Sequence, residues 1–179
     1  KLTQPGTGSE ITFMETVAMG AGQNANNPWL QEMPDPVTRC AWGNYLALPV
    51  QFDGTRKFVA HEKLEDGDLA DVSIGEQKVR VPVIKQFGQT PDSFALAIGY
   101  GRAVTGRAGT GVGVNVTPWM KTDADGLVQY WAPGVTVSGK QGEEDYFSCV
   151  QYHHTMGVTG EDSETKQTIN ADEAATVYM

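Results

Sequence analysis

Short apolar runs, separated by Gly, Pro and Asp residues, recur through the middle of this chain and predict a series of short strands. Each run is rich in β-branched or aromatic residues, as strands usually are. The predicted strands span residues 39–47, 70–74, 78–84, 94–98, 135–138 and 146–152. Several short strands at this spacing favour a mainly β domain, folded as a sandwich or a barrel.

Three features between and within these runs refine the prediction. In residues 78–84 the valines alternate with other residues, but Pro82 lacks an N–H for the strand ladder and moves this strand towards a sheet edge. Residues 64–68 predict a tight acidic turn in which Gly67 has a left-handed backbone and the aspartates bond to the backbone. In residues 27–36, three prolines exclude a regular helix or a central strand, so an ordered loop is expected.

The two ends of the chain differ from this pattern. Residues 1–26 are rich in glycine and small polar side chains, and we expect an extended or partly ordered N-terminal arm. Residues 170–179 have acidic residues near their start and then alanines, which predicts a short C-terminal helix. The chain opens at Lys1 rather than at a methionine, and we expect it to be part of a longer polypeptide.

Composition narrows the possible functions. With 13 Lys+Arg against 22 Asp+Glu, the 179-residue chain has a formal charge of -9, which repels nucleic-acid phosphates and anionic lipids. We therefore expect no nucleic-acid partner. Because no apolar run is long enough to cross a bilayer, we also expect no direct membrane insertion. A chain of this length suits a single domain.

The only two cysteines are Cys40 and Cys149. They are too few to hold an iron–sulfur cluster or a cysteine-rich zinc site within this chain. Two buried, reduced thiols are the simpler interpretation, and the sequence leaves a disulfide between them open. Neither Ser73 nor Ser148 lies in a nucleophile elbow, so hydrolase chemistry has no support.

A set of short motifs in a fixed order resembles the molybdopterin dinucleotide-binding domain, the C-terminal domain of molybdopterin oxidoreductases. The motifs lie at residues 27–36, 42–44, 65–68, 81–83 and 111–115. The resemblance implies a double-psi β-barrel of the formate dehydrogenase/aspartate decarboxylase-like type, with irregular loops and a short C-terminal helix. It also implies an arm over 1–26, the barrel domain over 27–160, and a tail over 161–179 that leads towards an iron–sulfur domain.

Residues 27–36, 98–102, 106–115 and 153–156 are similar to one branch of this group, the large iron–sulfur subunit of alternative complex III, a quinol:cytochrome c oxidoreductase. In that branch the molybdopterin-like half resembles an enzyme that has lost its cofactor, and it is joined to a ferredoxin-like half. The resemblance implies a non-catalytic scaffold domain of a respiratory electron-transfer complex, with no cofactor in this part of the chain. Iron–sulfur clusters would lie beyond Met179.

The same resemblance implies the partners and the location. The partners would be the iron–sulfur domain of the same polypeptide and other subunits of a membrane-bound complex. The location would be the periplasmic or extracytoplasmic face of the membrane. By itself the domain is not expected to be an enzyme, and we predict neither a catalytic residue nor a metal ligand in it.

The alternative is the capping domain of an active molybdopterin oxidoreductase, whose side chains would bind molybdopterin guanine dinucleotide. The candidate residues are Asn27, Asp35, Asn44, Arg102, Arg107 and Asn115. The two arginines belong to a glycine-rich loop, residues 99–113, whose N–H groups and guanidinium groups would suit a pyrophosphate. That loop lacks the P-loop and dinucleotide-binding patterns, so a structural or interface loop is the simpler interpretation.

Three further residues are candidates for contact with a neighbouring domain or subunit. Trp29 stands among prolines and asparagines, where an aromatic side chain would pack at a boundary. His153 and His154 are adjacent, so on a strand they face opposite sides and do not favour a shared metal site.

Overall fold

A computed structural model describes residues 8–52, 58–145, 147–149, 160–161 and 168–169 of the chain. The described residues are mainly β, as the sequence predicted. They belong to two compact units, one that ends at Cys149 and one that begins at residue 150. The predicted C-terminal helix over 170–179 lies outside the described residues.

The first unit is built from short strands joined by irregular loops. Its strands are β1 (Glu10–Met14), β2 (Cys40–Ala41), β3 (Leu46–Phe52), β4 (Phe58–Ala60), β5 (Asp68–Ile74), β6 (Gln77–Gln86), β7 (Ser93–Ala97), β8 (Lys121–Thr122), β9 (Val128–Gln129), β10 (Trp131–Pro133), β11 (Val135–Val137), β12 (Gly142–Glu143) and β13 (Ser148–Cys149). A short helix, α1 (Pro28–Glu32), and two 3-10 turns, His61–Lys63 and Thr117–Trp119, lie between them. In the second unit, β14 (Gly160–Glu161) pairs with β15 (Thr168–Ile169) in an antiparallel ladder.

The main sheet of the first unit is nearly closed and barrel-like. Its strand order is β10-β1-β7-β3-β6-β5-β11, with β4 beside β3 and β12 beside β5. Strand β1 runs parallel to β7, and β3 runs parallel to β6, whereas the other neighbours in this sheet are antiparallel. The register places Leu46 of β3 opposite Leu96 on one side and Val83 on the other, at the centre of the sheet.

The core is formed by the side chains that alternate towards one face of these strands. Ile11 and Phe13 of β1, Leu48 of β3 and Phe94 of β7 are almost completely buried. Burying a side chain of this size contributes roughly 1.5–3 kcal/mol to folding. Residues 10–14, predicted to belong to an N-terminal arm, are therefore extended as expected but lie inside the sheet, between β7 and β10.

The helix α1 corrects the prediction that prolines exclude a helix from residues 27–36. Pro28 occupies the first helical position, where its missing N–H costs nothing because that N–H would have no partner within the helix. Asn27 caps the helix: its Oδ1 accepts hydrogen bonds from the backbone N–H groups of Trp29 and Leu30, at 3.1 and 3.3 Å. The helix then ends before Pro34, so the prolines limit its length rather than prevent it.

The strands predicted at 70–74, 78–84, 94–98 and 135–138 are confirmed by β5, β6, β7 and β11. The single strand predicted at 39–47 is wrong, because Trp42 and Gly43 have positive φ angles, 54° and 102°, and separate β2 from β3. Of the strand predicted at 146–152, the described part contains β13, while residues 146 and 150–152 lie outside the described residues.

Pro82 lies in a strand that is internal in the sheet order, not at the predicted edge. The register explains how β6 tolerates it: residues 77–82 pair with β5, and residues 83–86 pair with β3. Pro82 is thus the last residue before β6 changes its partner strand, where an N–H directed towards β3 is not required.

The predicted acidic turn before β5 is confirmed. Gly67 has a φ angle of 87°, in the left-handed region. Asp68 Oδ2 accepts a hydrogen bond from the backbone N–H of Glu65 at 2.9 Å, and Asp66 Oδ1 accepts one from the N–H of Lys85 at 2.7 Å. These carboxylates therefore hold the turn against β6.

Asp71 of β5 is paired with two cations on the neighbouring strand β6. Its carboxylate oxygens lie 2.7 and 3.1 Å from Nε and Nη2 of Arg80 and 2.8 Å from Nζ of Lys78. Hydrogen bonds from Arg80 and Lys78 hold the pKa of Asp71 well below its usual value of 3.8. These ion pairs link β5 to β6, because Asp71 and Arg80 lie directly opposite each other in the antiparallel ladder.

We expect Asp71→Asn to lower the stability of the domain at neutral pH and to flatten its acid sensitivity. Because the pKa of Asp71 is lower in the folded chain than in the unfolded chain, its ion pairs stabilise the fold fully at pH values above the unfolded-state pKa, near 3.8. This stabilisation is lost as the pH falls from 3.8 through the folded-state pKa. Urea unfolding at several pH values measures the effect, with Asp125→Asn in an exposed turn as the control. If the free energy of unfolding of Asp71→Asn fell as steeply at acid pH as that of the parent chain, this assignment would be contradicted.

Candidate functional site

The candidate residues lie on or beside three loops that pack against one another at one cluster of apolar side chains. The loops are residues 15–26, residues 33–39 after α1, and the glycine-rich loop 99–113. The cluster is formed by Ala18, Met19, Ala25, Ala97 and Tyr100, with Met14, Leu30, Met33 and Val112 packed against it. Any binding surface in this region therefore depends on how the loops are fixed.

Asn44, between β2 and β3, is the most deeply buried of the candidates, with 3% of its surface exposed. Its Nδ2 donates hydrogen bonds to the carbonyl oxygens of Ala97 and Val114, at 2.8 and 2.9 Å. Its Oδ1 accepts a hydrogen bond from the N–H of Val114 at 2.9 Å. Both N–H donors of the amide are thus used within the fold, and no donor is left for a ligand.

Asn27, Asp35 and Asn115 have the same type of role at more exposed positions. Each places a side-chain oxygen on backbone N–H groups a few residues further along the chain, as in helix caps and Asx turns. Asn27 caps α1, and Asn115 Oδ1 accepts from the N–H of Thr117 at 3.1 Å, at the start of a 3-10 turn. Asp35 Oδ1 accepts from the N–H groups of Val37 and Thr38, at 3.0 and 2.9 Å.

Asp35 also begins a chain of side-chain hydrogen bonds that leads into the core. The hydroxyl of Thr38 lies 3.0 Å from Asp35 Oδ1 and 2.5 Å from the hydroxyl oxygen of Tyr45. Burial raises the pKa of Tyr45 above its usual value of 10.0, so the phenol stays protonated at neutral pH. This chain fixes the loop that follows α1 to the residues that lead into β3.

Arg102 and Arg107 lie on the glycine-rich loop, as predicted, and their side chains are exposed. Arg102 Nη2 donates a hydrogen bond to the carbonyl oxygen of Ala21 at 3.2 Å. The N–H of Gly111 donates to the carbonyl of Arg102 at 2.9 Å, and Asn26 Oδ1 accepts from the N–H of Ala108 at 3.2 Å. These contacts hold a loop whose glycines give it little rigidity of its own.

Gly101 shows how closely this loop packs. It has a φ angle of 69°, and a Cβ atom at this position would lie 2.0 Å from the backbone nitrogen of Asn115. No side chain fits in that space, since real Cβ contacts are much longer. The start of the loop is therefore pressed against the residues that follow its end.

Three of the candidates line three different cavities among the described residues. Asn27 lines an open cavity of about 500 Å³, formed with Gln23, Asn24, Asn26, Pro28 and Trp29. Asn44 lines a more enclosed cleft of about 370 Å³, between Trp42 and the glycine-rich loop, and Asp35 lines a small cavity of about 10 Å³. Arg102, Arg107 and Asn115 line none of these three cavities.

Four apolar side chains on or beside the same loops project into solvent, and we call them the loop surface. They are Val17, Trp29, Val37 and Val104, with exposed fractions of 71, 81, 65 and 92%. Trp29 is exposed, and its predicted place at a boundary stays a prediction. The three valines were missed, because a valine in a glycine- and threonine-containing loop has no sequence signal that separates exposure from burial.

His153 and His154 lie outside the described residues, so their predicted contact role stays a prediction. Within the part of the chain that the structure describes, no group of His, Cys, Asp and Glu side chains is arranged to hold a metal ion. Comparison with family models and with curated proteins found no match.

We expect Asn44→Ala to destabilise the domain by about 3 kcal/mol, because it removes three hydrogen bonds and leaves buried backbone groups of Ala97 and Val114 without partners. Asn115→Ala is the matched control: it is exposed and loses one hydrogen bond, and the expected cost is at most about 1 kcal/mol. Urea unfolding of both variants measures the difference. Similar small losses in the two would show that the Asn44 amide is not a structural tie.

Proposed function

We propose that this chain is a non-catalytic scaffold domain of a respiratory electron-transfer subunit, derived from a molybdopterin dinucleotide-binding barrel. The observation that carries the proposal is the use of the candidate polar side chains within the fold. Asn27, Asp35, Asn44 and Asn115 each bond to backbone groups of the domain itself. These contacts stabilise the domain without a cofactor, as a scaffold domain requires.

The order of the strands supports the double-psi form of the barrel. The two parallel pairs, β1 with β7 and β3 with β6, stand on either side of the antiparallel pair formed by β7 and β3. The same local arrangement is therefore repeated on both sides of the centre of the sheet. A double-psi barrel is expected to contain such a repeated unit.

The loop surface supports a role in contact with partners. Its four exposed apolar side chains lie on or beside neighbouring loops, and exposed apolar side chains mark contacts with other proteins where they form one patch. We propose that the partners are the iron–sulfur domain of the same polypeptide and the other subunits of a membrane-bound quinol:cytochrome c oxidoreductase, on its periplasmic or extracytoplasmic face. Among the described residues there is no helix with the length and apolar character required to cross a membrane.

The alternative function, capping molybdopterin guanine dinucleotide in an active oxidoreductase, has one observation in its favour. Arg102 and Arg107 are exposed on the same glycine-rich loop and keep guanidinium donors that a pyrophosphate would accept. Against it, both amide donors of Asn44 are already used within the fold. The buried oxygen Gln31 Oε1 has no hydrogen-bond partner among the described residues, but Gln31 lines none of the three cavities. The scaffold is therefore the function that the geometry supports better.

The two functions differ in the cofactor content of the full-length parent protein. We expect elemental analysis of the purified parent to find iron without molybdenum or tungsten, and oxidation of the protein to release no fluorescent pterin. The matched control is a known molybdopterin enzyme, purified and oxidised in the same way, which must yield both signals. Stoichiometric pterin with molybdenum or tungsten in the parent would contradict the scaffold proposal and make this the capping domain of a working enzyme.

A further inference from the structure

The two cysteines of the chain, far apart in sequence, meet in the fold. Strand β13 pairs with β2 in an antiparallel ladder that places Cys149 directly opposite Cys40. Directly opposed residues of an antiparallel pair have Cβ atoms about 4.5–5.5 Å apart and on the same face. A small adjustment brings this separation to the roughly 3.5–4.5 Å of a disulfide.

The positions of the sulfur atoms agree with this register. Cys40 Sγ lies 3.8 Å from the carbonyl oxygen of Thr38, and Cys149 Sγ lies 3.4 Å from the same oxygen. Both side chains are therefore directed to one point beside β2. They differ in access, since Cys40 is buried and Cys149 is exposed, and neither is joined in a disulfide in this structure.

Going beyond the scaffold function, we propose that Cys40 and Cys149 form a reversible cross-strand disulfide when the domain meets a small-molecule disulfide such as oxidised glutathione. The exposed Cys149 thiolate attacks one sulfur of the small disulfide and releases one small thiol. Cys40 then attacks the mixed disulfide at Cys149, forms the Cys40–Cys149 bond and releases the second small thiol. The protein loses two protons and two electrons, and the small disulfide is reduced to two thiols.

The link adds a covalent tie between β13 and β2. Strand β13 has two residues and pairs with a two-residue strand, so its ladder supplies few hydrogen bonds. Phe147, just before β13, lines the cleft of about 370 Å³ together with Cys40 and Trp42. In the oxidised form this wall of the cleft is covalently tied to β2, and in the reduced form it is held by the short ladder and by the packing of Phe147 against Cys40 and Tyr45.

The environment of the thiols makes the reaction dependent on pH. Burial raises the pKa of Cys40 and also that of Cys149 above the usual value of 9.0. Because the thiolate is the attacking species, oxidation is expected to accelerate as the pH rises towards these values.

The test is incubation of the reduced chain with excess oxidised glutathione in mildly alkaline buffer, followed by alkylation of remaining thiols and intact mass measurement. We expect a monomer that has lost two hydrogen atoms, carries no alkyl group and yields one cross-linked peptide containing Cys40 and Cys149. The midpoint of thermal unfolding should rise by several degrees and return when a reductant is added, because the bond closes a loop of about 100 residues.

Two single variants separate this inference from ordinary thiol reactivity. Cys40→Ser should stop at a stable glutathione adduct on Cys149, since the second thiol is missing, whereas Cys149→Ser should leave the buried Cys40 unmodified. Glutathione adducts or alkylated thiols on both cysteines of the parent chain, or a disulfide between two molecules, would overturn the proposal. These outcomes are independent of the pterin and metal content of the full-length protein, so the two proposals succeed or fail separately.

Discussion

The side-chain amide of Asn44 joins three segments of the chain that are far apart in sequence. It hydrogen-bonds to Ala97 at the end of β7 and to both the N–H and the carbonyl of Val114, from its own position before β3. A buried amide is costly unless its polar atoms are paired, so this arrangement specifies where the glycine-rich loop ends. The cleft beside Trp42 and the close packing of Gly101 both depend on that position.

Side-chain hydrogen bonds to the backbone also stabilise the smaller loops. Asn27, Asp35 and Asn115 replace regular secondary structure with local hydrogen bonds, and the chain of contacts from Asp35 through Thr38 to Tyr45 connects a loop to the core. The Oδ1 atoms of Asn27, Asp35 and Asn115 are therefore already used within the fold. Both apolar and cationic side chains project from the loops into solvent, among them Trp29, Val104 and Arg102.

The sequence predicted the regular part of this fold better than the irregular part. Strands β5 and β6 contain several β-branched residues and are joined by a short turn, so each pairs with its neighbour in sequence. Strand β1 was assigned to an arm because its five residues are surrounded by glycines, and only the distant strands β7 and β10 make it a strand. Pro28 was interpreted as a helix breaker, although at the first helical position proline is compatible with a helix.

For the candidate site, residue type showed that Asn44 is a hydrogen-bonding residue, but its partners lie more than fifty residues away and have no local signal.

In our proposal, the loop surface of this domain contacts the partner subunits. It is best tested by the recovery of the other subunits with the full-length parent when Trp29 is changed to Ala, compared with Leu127→Ala, an exposed apolar side chain on the β8–β9 hairpin. Trp29→Ala should lower the amount of the partner subunits that copurify, with the unfolding midpoint unchanged, whereas Leu127→Ala should recover them fully. Equal recovery with both variants would show that Trp29 is not part of a contact surface.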